Sequence, residues 1–94
     1  MRVQIEFFGL SRVVTGVKEI ALDLEEGATF RDVARRLGQA YPALIGDVIR
    51  PDDGSLQHPN VFNVNARRMI RASQMDESPQ DGDRVILMSL SAGG

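Results

Sequence analysis

The chain ends in Ser91-Ala92-Gly93-Gly94, and this is where residue type and spacing most clearly suggest chemistry. Residues without a Cβ can lie extended in a channel too narrow for side chains, and glycine adopts backbone angles that other residues avoid. Such a thread would carry the carboxylate of Gly94 at its tip. A carboxylate is a resonance-stabilised anion and a poor electrophile, so it must become a mixed anhydride before a nucleophile can replace one oxygen. The sequence has no glycine-rich phosphate-cradling motif with which to bind ATP. Activation would therefore fall to a partner. The competing reading is an end that is merely small.

Elsewhere the chemistry is sparse. Without cysteine there is no disulfide framework, cysteine zinc site, thiol nucleophile or iron–sulfur ligation. His58 stands alone in a Gln-His-Pro loop and reads as a surface residue. Asp52-Asp53 and Asp81/Asp83 lie in turn sequences where Asp bonds nearby backbone, without the spacing of a calcium loop. No catalytic triad can be assembled, so neither an enzyme nor a bound cofactor or metal is expected.

Area scaling gives about 5,400 Å² of folded surface against about 15,000 Å² unfolded, enough for one small core. With 43 % apolar and 26 % charged residues, residues 1–94 read as one soluble domain ending in a flexible tail, 91–94. The net charge of −2 argues against nucleic acid. Charges in the first six residues oppose a signal peptide, and no stretch approaches a membrane span, so the default expectation is a cytoplasmic protein. The basic residues are ten arginines and one lysine, Lys18. Arg31, Arg35 and Arg36 cluster, as do Arg67, Arg68 and Arg71. They form either a solvated face paired with Asp and Glu or a dock for an acidic partner.

These features need elements to position them. Residues 2–8 alternate, with Val3, Ile5 and Phe7 on one side, and residues 17–24 alternate again through Ile20, Leu22 and Leu24. Gly9 and Gly16 bracket a loop between them, predicting an antiparallel hairpin. Thr29 opens a helix, with Asp32 favouring its N-terminus and pairing with Arg36 on the flank. Phe30, Val33, Ala34, Leu37 and Tyr41 form one apolar stripe, Gly38 weakens the interior, and Pro42 ends the run. Residues 43–60 are the least legible, with Leu44, Ile45, Val48 and Ile49 able to make a helical turn or a strand. Residues 61–65 read as a third strand, 68–71 as a return strand, Ser78 to Asp83 as a turn, and 84–90 as the final strand. A lone helix across such a sheet is an α+β layer, with the two terminal strands side by side at the centre.

This element order, the Thr-capped helix, the Asp81-Gly82-Asp83 turn, the last apolar strand and Gly93-Gly94 together resemble the MoaD/ThiS family of ubiquitin-like sulfur carriers. The resemblance covers nearly the whole chain and is weakest over residues 43–60. It implies a ubiquitin-like β-grasp, a mixed sheet of four or five strands with one main helix packed on one face. It also implies that a ubiquitin-activating-type adenylyltransferase spends ATP to adenylate the Gly94 carboxylate, which sulfur transfer turns into a thiocarboxylate. The acceptor would be the large subunit of molybdopterin synthase in MoaD, a thiazole synthase in ThiS, or a cysteine synthase in CysO-like carriers. The protein itself would be a reactant or a non-catalytic subunit.

The chain departs from the pattern in three places. No proline precedes the Gly-Gly. Asn65-Ala66-Arg67 stands where an Asn-Gly turn is common, predicting a longer or bulged hairpin. Residues 51–60 add a loop that minimal ThiS proteins lack, which favours a MoaD-like or CysO-like carrier.

If Val85 and Leu87 face the core, Ile86, Met88 and Leu90 face outward with Phe8, as a patch beside the tail residues Ser91, Ala92, Gly93 and Gly94. The alternative is a strand buried on both sides. A protein modifier joined to partner lysines uses the same tail chemistry, and a plain interaction module is the third reading. The single Lys18 argues mildly against self-linked chains.

Overall fold

The computed structural model describes residues 1–90, so the expected tail and the positions Ser91, Ala92, Gly93 and Gly94 lie outside the described residues. In chain order the elements are β1 (Arg2–Phe7), α1 (Leu10–Thr15), β2 (Glu19–Asp23), α2 (Phe30–Ala40), β3 (Asn60–Val64), β4 (Arg68–Ile70) and β5 (Arg84–Ser89). Single 3₁₀ turns occupy Pro42–Leu44 and Ala72–Gln74. The strands form one mixed sheet in the order β2-β1-β5-β3-β4. The two terminal strands pair in parallel at its centre, with Ile5 opposite Val85 and Phe7 opposite Leu87, while every other pairing is antiparallel. This is the expected α+β, ubiquitin-like arrangement, and its accessible surface of 5431 Å² matches the area scaling.

Alternation settles which face of the sheet is buried. Val3, Ile5, Phe7, Leu22, Phe62, Val64, Val85 and Leu87 point into one layer and are buried. Against them α2 lays Phe30, Val33, Ala34 and Leu37, each fully buried. Burying a side chain of Val, Leu or Phe size contributes about 1.5–3 kcal/mol, so this stripe outweighs the helix's own weak propensity. Thr29 Oγ1 accepts from the Asp32 N–H at 3.1 Å while Asp32 Oδ2 accepts from the Thr29 N–H at 2.9 Å, a complete capping box. Gly38 is buried, and a Cβ there would meet Ile45 Cγ1 at 3.4 Å. That is ordinary van der Waals contact, so the following segment packs against the helix at this point without requiring a glycine there.

Two sequence expectations need correction. Residues 10–15 are a helix, not only a loop. Its single turn is too short for periodicity to stand out, but Ser11 is buried and donates to Leu87 O at 2.9 Å, which fastens the turn to β5. The Asp32–Arg36 pair is absent. Asp32 already serves the cap and pairs with Arg35 at 2.9 Å, while Arg36 donates to the Asp23 carbonyl at the end of β2.

Residues 43–60 resolve into the 3₁₀ turn and two isolated bridges, Ile45 with Ile49 and Ile49 with Leu56, with Leu44, Val48 and Ile49 buried in the common core. The β3–β4 connection has Asn65 and Ala66 both at positive φ, 58° and 60°, with Arg67 as an additional residue before the Val64–Arg68 pair. The hairpin is longer by that residue, as the missing Asn-Gly predicts.

Candidate functional site

The face of the sheet away from α2 divides into two halves. On β1 and β2 it is polar. Arg84 Nη1 donates to Glu6 Oε1 and Glu19 Oε2, both at 3.0 Å, and Arg2 Nε donates to Asp23 Oδ1 at 2.8 Å. The Arg84 guanidinium, with help from Gln4, holds the Glu19 carboxyl below its ordinary range, and Arg2 does the same for Asp23. These charges are spent on one another.

On β5, β3 and β4 the same face is apolar. Ile86 and Met88 alternate outward from the buried Val85 and Leu87 and are half-buried, so the strand is not enclosed on both sides. Phe8, just past β1, is 58 % exposed, and Leu90, just past β5, is 51 % exposed. The parallel β1–β5 register brings Phe8 to the end of the sheet where β5 finishes, and Leu90 N donates to Pro59 O at 2.9 Å there. The fold thus gathers Phe8, Ile86, Met88 and Leu90 at the end from which the chain continues to residue 91.

The patch has two members that the sequence reading omitted. Val61 pairs with Met88, while Asn63 pairs with both Ile86 and Met69, which places Val61 and Met69 on the same face. Alternation in Val61-Phe62-Asn63-Val64 carried that signal, but it could be used only once the neighbouring strand was known. Asn63 sits among these apolar groups, its Nδ2 donating weakly to Met69 Sδ at 3.5 Å. Its Oδ1 is buried without a partner among the described residues. Exposed Leu10, Val13 and Ile45 belong instead to the helical side.

The remaining candidates have structural roles. Asp81 Oδ1 accepts from the Arg2 N–H, and Asp83 accepts from Gln80 N and Asn65 Nδ2, tying the turn before β5 to β1 and to the β3–β4 turn. Asp53 closes its own turn through Ser55, and Arg50 holds the Asp52 carboxyl down to about 2. A groove of about 420 Å³ runs between α2 and this turn, but its Arg50 and Asp52 are paired at 2.8 Å. His58 is exposed. Among the described residues no cluster of three or more His, Asp or Glu could hold a metal, and no helix is long and apolar enough to cross a membrane.

The ThiS family profile matches residues 5–94, through the terminal Gly93-Gly94. Small archaeal modifier protein 3 of Haloferax volcanii is 35 % identical over 95 residues, covering all of both chains. The molybdopterin synthase sulfur carrier subunit of Chlamydomonas reinhardtii is 31 % identical over 94 residues, again covering both completely. Among solved structures, SAMP1 from Haloferax volcanii superposes with a TM-score of 0.82 at 26 % identity over the full length of both chains. The chain belongs to the ThiS family, the small ubiquitin-like carriers and modifiers built on the β-grasp fold.

Proposed function

We propose that this protein carries sulfur on the carboxyl group of Gly94. The supporting observation is the position of the apolar half-face, which borders the end of β5 from which the chain runs to Gly93-Gly94. A ubiquitin-activating-type adenylyltransferase docks on that face. A carboxylate oxygen of Gly94 attacks the α-phosphorus of ATP, pyrophosphate leaves, and an acyl adenylate forms. A sulfide-equivalent nucleophile supplied by a partner adds to the carbonyl carbon, AMP leaves, and the carbonyl keeps the sulfur as a thiocarboxylate. With no thiol in the chain, the carboxyl end is where sulfur can be held. The chain is a reactant in these steps, ATP is bound by the partner, and the work is cytoplasmic.

The favoured destination is molybdopterin, with this chain as the small subunit beside a molybdopterin synthase large subunit. The full-length similarity to a molybdopterin synthase sulfur carrier subunit supports it. CysO-like or ThiS-like service in cysteine or thiamine synthesis uses identical carrier chemistry. A second reading, modification of proteins, draws on the 35 % identity to a small archaeal modifier protein. There a lysine amine of a target replaces AMP and forms an isopeptide bond. Lys18, as the single lysine, leaves few routes to linked copies.

The shared first step is testable by ATP-dependent pyrophosphate exchange with the activating-type enzyme of the same genome. The intact chain is expected to support exchange and a variant lacking Gly94 to abolish it. Undiminished exchange without Gly94 would remove both readings.

A further inference from the structure

Most arginines of this chain are already committed. Arg2, Arg31, Arg35, Arg50, Arg68 and Arg84 each make an ion pair, and Arg36 donates to a backbone carbonyl. Arg12, Arg67 and Arg71 make no ion pair among the described residues. The first lies on α1, but the other two have a suggestive position. Arg67 ends the β3–β4 turn just before β4 and Arg71 follows its last residue, so the two flank the short edge strand that carries Met69. Met69 belongs to the apolar half of the outer face through its pairing with Asn63. All three residues are exposed.

Among the described residues no carboxylate forms an ion pair with either charge. Glu77, which reaches β4, is held by Arg68 at 3.0 Å. Asp83 is engaged by Asn65 and by the Gln80 N–H. The outer-face acids Glu6, Glu19 and Asp23 lie on the far half, paired with Arg84 and Arg2. A chain of net charge −2 therefore presents two uncompensated cations along one margin of its apolar patch. A free guanidinium is weakly hydrated and forks to a carboxylate with two parallel hydrogen bonds, so engaging it breaks no existing pair.

We infer that the partner docking on this face presents carboxylates against Arg67 and Arg71 around an apolar centre that receives Met69, Ile86 and Met88. This rests on the carrier reading for the identity of the partner used as probe, the activating-type enzyme. Charges at the margin of an interface act chiefly on encounter rate and salt dependence, while the apolar centre sets residence.

The test is pyrophosphate exchange titrated with this chain at several salt concentrations. Because neither side chain makes an ion pair in the fold, the Arg67→Glu/Arg71→Glu variant should keep the wild-type melting temperature. Its KM should rise about tenfold or more with saturating kcat nearly unchanged, and KM should lose most of its salt dependence. Arg67→Gln/Arg71→Gln should fall between, and Arg12→Glu should match wild type. If both double variants keep the wild-type KM and salt response while wild type supports exchange, the inference is overturned and the carrier reading stands. If the wild-type chain supports no exchange, the carrier reading itself falls and the inference with it.

Discussion

Ser11 shows how much one side chain can hold. Its hydroxyl is buried, accepts from Phe8 N at 3.2 Å and donates to Leu87 O at 2.9 Å, joining the ends of β1 and β5 beneath the patch. Ser11→Ala should cost about 1–2 kcal/mol in denaturant unfolding, since the buried bond is lost without replacement. Ala66 is the opposite case. It stands at φ 60°, a conformation that penalises a Cβ, on an exposed turn. Ala66→Gly should raise stability by about 0.5–1 kcal/mol, the relieved strain exceeding the added unfolded-chain entropy. Asn63 brings a third kind of cost, a buried Oδ1 without a donor among the described residues. Asn63→Leu should raise the denaturant midpoint, by about 1 kcal/mol of stability, and a fall would mean that the oxygen is satisfied in solution. The roles of Ser11 and Asn63 could not be read from residue type, because each depends on a strand partner far away in the chain, whereas Ala66 stands where the sequence lacks the glycine of an Asn-Gly turn.

The helix α2 was legible to its first residue because cap, stripe and stop signal agree. Thr29→Ala should destabilise by about 1 kcal/mol, measured as a lower melting temperature, since the Asp32 N–H loses its acceptor, Thr29 Oγ1. β1, β2, β3 and β5 were legible from alternation, within one or two residues at each end. α1 was not, because six residues give too few turns to separate a helical stripe from a glycine-bounded loop. Residues 43–60 resisted for a different reason. Their order comes from burying Leu44, Val48 and Ile49 under α2, not from a repeating local pattern. At the candidate site, Phe8, Ile86, Met88 and Leu90 followed from the parity of two strands. Val61 and Met69 required the sheet order, which places β3 beside β5 and β4 beyond it.

At the scale of the molecule, the electrostatics are those of an ordinary neutral-pH fold. Glu19, Asp23, Asp32, Asp52 and Asp53 all have carboxyls held below their usual range by arginines or by hydrogen bonds to the ionised form. A lowered folded-state value means stability that is fully present above the unfolded carboxyl range near pH 4 and is lost as pH falls through the folded values. The melting temperature should therefore be flat in these groups above about pH 5 and decline below about pH 4, the Asp52 share last, near 2. A decline beginning nearer neutrality would implicate some other group. The same molecule places a paired, charged half-face beside an apolar one with two unanswered arginines, at the end of the sheet that leads to Gly93-Gly94. One measurement tests the central claim most directly, the intact mass of the protein purified from its own host, followed by mapping of the carboxyl-terminal peptide. The account predicts a mass increase equal to oxygen replaced by sulfur, localised to Gly94, in a fraction of the molecules. A carboxyl terminus that remains unmodified in cells making the activating-type enzyme and its sulfur donor would contradict it.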